Sequence, residues 1–88
     1  MNNLKSIYIR KMRFTEAKLH FRNELEKCFY FGDRFVEVIH GIGTYTLRNM
    51  VIDEVGKLDY VSIIESYNPG SLILELDVPE QSFLNKLK

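Results

Sequence analysis

The sequence predicts a two-layer α/β sandwich, in which a mixed four-stranded sheet carries two helices on one face. Apolar spacings follow a β-α-β-α-β-β order along the chain. Right-handed crossovers would place both helices on the same face, and a turn at residues 68–70 would join the last two strands as an antiparallel hairpin. The 88 residues are expected to form one domain, with a core over about residues 5–78 and a tail at 79–88.

The first strand and the first helix are predicted from a change of period. Leu4–Ile9 alternates as a strand does, whereas apolar residues from Phe14 to Cys28 lie three or four apart, on one face of a helix. Thr15 is the predicted N-cap, because its hydroxyl can accept a hydrogen bond from a first-turn amide. Gly32 is predicted to end the helix in a left-handed conformation.

The middle of the chain predicts a buried strand and a second helix. Phe35–Ile39 is an almost continuous apolar run, typical of a strand covered by the rest of the fold. The three aromatic residues just before it, at positions 29–31, are expected to join the core. Leu47–Leu58 then returns to helical spacing.

The last third of the chain predicts a hairpin. Asp59–Ser66 is rich in Tyr, Val and Ile, as strands are. In Asn68-Pro69-Gly70, Pro suits the second position of a type II turn and Gly the third, where φ is positive. Leu72–Val78 alternates as a strand with one apolar face, and Pro79 stops it. Glu80–Lys88 is expected to form a short helix or to fray.

The composition excludes several classes of protein. Charged residues make up 27% of the chain, and no uncharged stretch approaches the ~20 residues that cross a bilayer, so no membrane partner is expected. No basic leader followed by an apolar run opens the chain, so the protein is expected to be cytoplasmic. One cysteine, Cys28, excludes a disulfide framework and a multi-cysteine zinc site.

The net charge of zero conceals an uneven distribution. Residues 1–22 hold six bases and one acid, a net +5, and the other residues hold six bases and eleven acids, a net −5. A uniformly basic nucleic-acid-binding protein is therefore excluded, whereas a local basic patch is not.

The segment from His40 to Thr44 is the candidate site. It lies between a buried strand and a helix, where open α/β sheets usually bind ligands. Gly41 and Gly43 let the backbone approach a bound group, and the helix N-terminus favours an anion such as phosphate. His40 could bind that phosphate or exchange a proton, and Arg48 could add a cation. The same glycines would also suit a tight turn without a ligand, and their spacing alone leaves both interpretations open.

These residues resemble the Smr (small MutS-related) domain family. Val36–Arg48, VEVIHGIGTYTLR, looks like the family's V-x-I-I-H-G-x-G-T-G-x-L-R. Arg13–Ala17 resembles the start of its first helix, and Gly70–Leu76 resembles its last strand. The resemblance spans roughly residues 5–78. It implies a fold similar to the C-terminal domain of translation initiation factor three.

The resemblance implies a nucleic-acid partner, DNA or RNA, with ribosome association in some members, and an endonuclease activity. Catalysis would rest on His40 and Arg10. If the hydrolysis uses a metal, Mg²⁺ or Mn²⁺ is expected, although the sequence itself shows no ligand set. The residues expected to bind phosphate or nucleic acid are Lys11, Arg13, Gly41, Gly43, Thr44 and Arg48.

Three departures from the family pattern qualify this expectation. The family's second signature, L-D-L-H-G or L-D-L-R-G, corresponds to Ile7–Lys11, where Tyr8 replaces the acid and Lys11 the glycine. Tyr45 replaces the last glycine of H-G-x-G-T-G. Loss of the acid is expected to lower or abolish hydrolysis, whereas phosphate contacts need only charge and amides. The alternative is a non-catalytic module that docks on a protein or a ribosome, which the zero net charge and the missing acid favour.

Overall fold

A computed structural model describes residues 4–43, 45–64 and 68–77 of the chain. Its elements are β1 (Lys5–Tyr8), α1 (Phe14–Phe31), β2 (Phe35–Ile39), α2 (Thr46–Gly56), β3 (Val61–Ile64) and β4 (Ser71–Leu76). This is the predicted β-α-β-α-β-β order. The predicted tail, Val78 at the end of the fourth strand and Ser66 at the end of the third lie outside the described residues.

The sheet has the strand order β1-β2-β4-β3. β1 pairs with β2 in parallel, with Ile7 opposite Val38, and β4 pairs antiparallel with both β2 and β3. The mixed sheet and the β3–β4 hairpin are thus confirmed. Because β1 and β2 are parallel neighbours, their carboxyl ends lie side by side at one edge of the sheet, where the candidate loop begins.

A single hydrophobic core lies between the sheet and the two helices. Its completely buried members include Ile9, Phe21, Leu25, Val36, Val38, Val51, Leu74 and Leu76. Each such side chain contributes roughly 1.5–3 kcal/mol relative to an exposed one. Cys28 belongs to the same core, and burial, followed by the neighbouring Asp33, raises the pKa of its thiol to about 11. The thiol is therefore protonated at neutral pH and is not a nucleophile.

The structure confirms the predicted C-terminal end of α1 but not its predicted N-terminal end. Gly32 adopts φ 83° and ends the helix in the left-handed conformation, as predicted. At the other end, Arg13 rather than Thr15 is the N-cap residue, so the predicted N-cap is wrong. The chain enters the helix two residues earlier than the Thr15 hydroxyl suggested, because the Arg13 carbonyl already accepts the first helical hydrogen bond, from the Ala17 N–H at 2.8 Å.

The three aromatic residues at the end of α1 do not all join the core. Phe29 is half-buried and its ring stacks on that of Tyr60 with centroids 4.2 Å apart. Tyr30 and Phe31 are 68% and 78% exposed, so the expectation that they pack inside is wrong. The helix ends with them on its outer face, because Cys28 and Leu25 occupy the inner one.

The turn before β4 forms, but not as a type II turn. The Ser71 N–H donates to the Asn68 carbonyl at 3.2 Å, which closes the turn. Gly70, however, does not take a positive φ, so the predicted type is wrong. Its carbonyl instead accepts the N–H groups of both His40 and Gly41 at 2.9 Å. The turn therefore anchors the start of the candidate loop.

A buried carboxylate joins the two helices. Glu54 of α2 is 1% exposed and accepts hydrogen bonds from Arg22 of α1 at 2.7 Å and from Lys57 at 3.0 Å. Those bonds, that from Lys57 first, lower the pKa of Glu54 to about 2. The carboxylate is consequently ionised throughout the neutral range, and its ion pair with Arg22 holds the last turn of α2 against α1.

Candidate functional site

The residues after β1 form a tight turn that presents two cations. The Met12 N–H donates to the Ile9 carbonyl at 3.1 Å, and the Ile9 N–H donates to the Ile39 carbonyl at 3.0 Å, so this turn is fixed against the end of β2. Arg10 and Lys11 occupy its two central positions. Lys11 has φ 70°, a conformation in which glycine is usual.

The loop after β2 is shaped to let Arg10 approach closely. Gly41 has φ 83°, and a Cβ atom on it would lie 2.9 Å from the Cγ atom of Arg10. The Gly41 N–H is donated to the Gly70 carbonyl at 2.9 Å. The Gly41 N–H was expected to donate to a phosphate, but it already donates to a carbonyl of the protein itself. Gly41 contributes instead through the space that its missing side chain leaves.

His40 is buried in an unusual hydrogen-bonding state. Its side chain is 5% exposed, and Nδ1 lies 2.7 Å from the Gly41 carbonyl oxygen. Because a carbonyl can only accept, Nδ1 carries the hydrogen, and in the neutral ring Nε2 carries the lone pair. Within the described residues, Nε2 is buried without a hydrogen-bond partner. An orphaned buried nitrogen is costly, and such atoms occur at sites that take a ligand or a proton.

The charge state of His40 follows from the same surroundings. Burial lowers the pKa of His40 below 6.5, the charge of Arg48 acts in the same direction, and the hydrogen bond to Gly41 opposes both. His40 is therefore neutral at pH 7. It can accept a proton at Nε2, and an arriving anion would favour that protonation.

These residues surround a cavity of about 330 Å³, named here the His40 cavity. Its lining consists of Arg10, Lys11, Met12, His40, Gly41, Ile42, Tyr45, Thr46, Leu47 and Arg48. Three of these side chains are cations, and none is a carboxylate. The cavity opens at the carboxyl ends of β1 and β2 and at the N-terminus of α2, where the helix dipole also favours negative charge.

The structure brings together five of the eight residues that the sequence singled out. Arg10, Lys11, His40, Gly41 and Arg48 all line the His40 cavity. Arg13 and Gly43 do not belong to that lining; the first is the exposed N-cap of α1 and the second lies farther along the loop. Thr44 lies outside the described residues.

Tyr45 is the residue of the site whose contribution the sequence did not indicate. It is the N-cap of α2 and has φ 62° and ψ 18°, in the left-handed region. Lys11 and Tyr45 thus both stand where the family pattern has glycine, and both have a positive φ, at a cost of about 1–2 kcal/mol each. The family's glycine at position 45 was the available signal that this side chain is held in a strained conformation.

The position of the missing acid lies in a neighbouring cavity. Tyr8 is 55% exposed and does not line the His40 cavity. It lines a cavity of about 380 Å³ that Arg10, Gly41 and Ile42 share, and Glu37 of β2 belongs to the same lining. A carboxylate is therefore still present on this side of Arg10.

The described residues do not fit a metal centre. They contain no group of three His, Cys, Asp or Glu side chains that could hold an ion. Mg²⁺ and Mn²⁺ prefer oxygen ligands, whereas the charged side chains of the His40 cavity are all cations. The chemistry of the His40 cavity is therefore derived from the side chains that line it.

None of the described helices is long and apolar enough to span a membrane.

The fold and the loop define a class of protein: a small α/β domain with a basic, glycine-containing loop between a parallel strand and a helix. The sequence model of the Smr domain matches residues 7–71, and the chain therefore belongs to the Smr domain family. This confirms the resemblance inferred from the HGIGTYTLR segment.

A solved structure confirms the fold independently. The protein is similar to the crystal structure of the Smr domain of Thermus thermophilus MutS2, with a TM-score of 0.78 and 23% sequence identity. The match covers 83% of this chain and 98% of that chain. No curated protein matches the sequence.

Proposed function

We propose that this Smr domain binds nucleic acid by placing a backbone phosphate in the His40 cavity. The observation that carries the proposal is the gathering of Arg10, Lys11 and Arg48 around a buried histidine whose Nε2 lacks a partner among the described residues. Three cations that line one cavity favour an anion there, and a protonated Nε2 would donate a hydrogen bond to it. Such contacts recognise the phosphate backbone and carry no sequence information.

Endonuclease activity is a further part of the proposal. His40 would act as general base or acid at Nε2, and Arg10 would stabilise the charge that develops on the phosphate. Tyr8 lacks the carboxylate that the family pattern has at this position, so we expect slow cleavage at most. If the domain cleaves, His40→Ala should abolish cleavage while weakening binding only modestly.

A second candidate function is docking on a protein or on a ribosome without catalysis. The exposed rings of Tyr30 and Phe31, at the end of α1, favour this alternative. An apolar interface of that kind would respond little to salt, whereas phosphate binding weakens steeply. Salt dependence therefore separates the two functions.

The test of nucleic-acid binding uses fluorescence anisotropy with labelled single-stranded RNA, duplex DNA and branched DNA at several salt concentrations. The variant Arg10→Gln/Arg48→Gln should bind about 10–100-fold more weakly at low salt, because it removes two of the three cations of the cavity. The slope of log affinity against log salt should also become shallower, by up to about two.

The matched control is Lys27→Gln, which removes a cation of α1 that does not line the His40 cavity and is paired with Glu24. It should leave both the affinity and the salt slope nearly unchanged. Equal affinity of the double variant and the wild type would contradict the proposed site. Cleavage is measured on the same samples, with and without Mg²⁺ or Mn²⁺, and with His40→Ala.

A further inference from the structure

Tyr45 holds a large ring at a position where the backbone favours glycine. Its φ of 62° is one of two positive values among the described non-glycine residues, and the other, at Lys11, belongs to the same cavity. A glycine at position 45 would fold with less strain. Strained conformations of this kind cluster at functional sites, where the strained residue contributes a contact.

The ring of Tyr45 is held in place by two neighbours. The Arg48 guanidinium lies over it, with Cζ 5.4 Å from the ring centroid, and the His40 ring meets it edge-on at 6.2 Å. Even so, Tyr45 is 39% exposed. The ring is thus oriented by the fold while part of its surface is available to a ligand.

Tyr45 and Arg48 also line a second cavity, which we name the Ile63 cavity. It has a volume of about 510 Å³, and Ile52, Ile63, Pro69 and Leu72 supply its apolar walls. The volume lies within the range of sites that bind small organic groups. Because Tyr45 and Arg48 belong to both linings, the two side chains form the partition between the two cavities.

The pair of cavities matches the two chemical parts of a nucleotide. The His40 cavity has three cations in its lining, whereas the Ile63 cavity has one, Arg48. The Ile63 cavity combines its apolar walls with the polar residues Asn68 and Ser71 and with the ring of Tyr45. Bases stack on aromatic rings and on guanidinium planes. In a strand, only one sugar separates a phosphate from its base, so a phosphate in the first cavity brings a base within reach of the second.

We propose that the Ile63 cavity takes the base of an unpaired nucleotide, stacked on Tyr45 and Arg48, while the phosphate of that nucleotide lies in the His40 cavity. This inference rests on the proposed function and narrows its substrate class to single-stranded segments of nucleic acid. A paired base is stacked within the duplex, and extruding it costs a few kcal/mol. Duplex without an unpaired end or gap should therefore bind more weakly than a single strand.

The test compares three probes of similar charge by fluorescence anisotropy. They are a short oligothymidine strand, a strand of equal length built from abasic sugar-phosphate units, and a blunt duplex. The wild type should prefer oligothymidine to both others. Tyr45→Ala and Tyr45→Gly should weaken oligothymidine binding about 5–100-fold more than they weaken abasic binding, the range for loss of one stacked base. Tyr45→Phe, which keeps the ring, should restore the preference.

Two controls keep the result interpretable. Tyr30→Ala removes a more exposed tyrosine ring, from α1, and should not change the preference for oligothymidine. Tyr45→Gly removes the ring together with the backbone strain, so it should melt at a higher temperature than Tyr45→Ala. A loss of oligothymidine binding in Tyr45→Gly therefore cannot be attributed to unfolding.

The outcomes separate this inference from the proposed function. If the wild type binds abasic strand and oligothymidine equally and with steep salt dependence, phosphate binding stands and the base site is wrong. Equal losses for both probes in the Tyr45 variants would also overturn the base site. If no probe binds, the proposed function fails, and the base site fails with it.

Discussion

The Gly41→Ala variant is expected to be less stable than the wild type by about 2–3 kcal/mol and to bind nucleic acid about tenfold more weakly. Two physical effects add. An alanine at φ 83° is strained, and its Cβ would meet the Arg10 Cγ at 2.9 Å, closer than real Cβ contacts. The long side chain of Arg10 would have to move, and the His40 cavity would lose one of its cations. Thermal melting and anisotropy measure the two consequences.

Gly32→Ala is the matched control for the first effect. Gly32 has the same φ of 83°, but nothing lies within 4 Å of its Cβ position. The free energy of unfolding of Gly32→Ala should fall only by the cost of the strained backbone, about 1 kcal/mol. The variant should bind nucleic acid as the wild type does. Adding Arg10→Ala to Gly41→Ala should recover part of the lost stability but none of the affinity. Equal stabilities of the two single variants would show that Arg10 does not depend on Gly41.

Nucleic-acid binding is expected to take up a proton at His40. In the free protein, burial and Arg48 keep the pKa of His40 below 6.5, whereas a bound phosphate would raise that pKa by favouring the imidazolium. Affinity should therefore rise as pH falls from about 8 to about 5.5, by up to about tenfold per pH unit. His40→Asn should remove this dependence, because its amide can still donate to the Gly41 carbonyl but cannot be protonated.

The lowered pKa of His40 makes folding stability change with pH in the opposite direction to affinity. Because the unfolded chain binds the proton more readily, folding stability is complete above pH 6.5 and falls as pH drops toward the folded pKa. Binding is therefore measured only where melting shows that the protein is folded. His20→Gln is the control, since His20 lies outside the His40 cavity, and it should keep the pH dependence. Persistence of the full dependence in His40→Asn would refute proton uptake at His40.

The fold could be predicted where local pattern and tertiary packing agree. Phe35–Ile39 is the observed β2 residue for residue, and Gly32 ends α1 as predicted. The predicted N-cap at Thr15 is wrong because the Arg13 carbonyl already accepts the first helical hydrogen bond, from the Ala17 N–H. The predicted type II turn is wrong because Gly70 does not have a positive φ; its carbonyl instead accepts the His40 N–H. The contact of Gly70 with the loop after β2 joins residues far apart in the chain, so it is not visible in the sequence around Gly70.

The site was predictable in its residue types and not in its geometry. The spacing indicated His40, and the resemblance indicated Arg10 and Lys11, all of which line one cavity. The use of the Gly41 amide by the distant turn could not be foreseen, since it depends on the β2–β4 pairing. The contact of Tyr45 with Arg48 depends on the left-handed backbone, which a tyrosine does not indicate.

The most direct test of the central claim is a titration of the ¹⁵N-labelled protein with a short oligothymidine strand, followed by two-dimensional amide NMR. Phosphate binding at the His40 cavity predicts that the largest shifts fall on the amides of residues 10–12, 40–43 and 45–48, and that raising the salt reverses them. Shifts centred on Tyr30 and Phe31, or no shifts up to millimolar oligonucleotide, would contradict the claim.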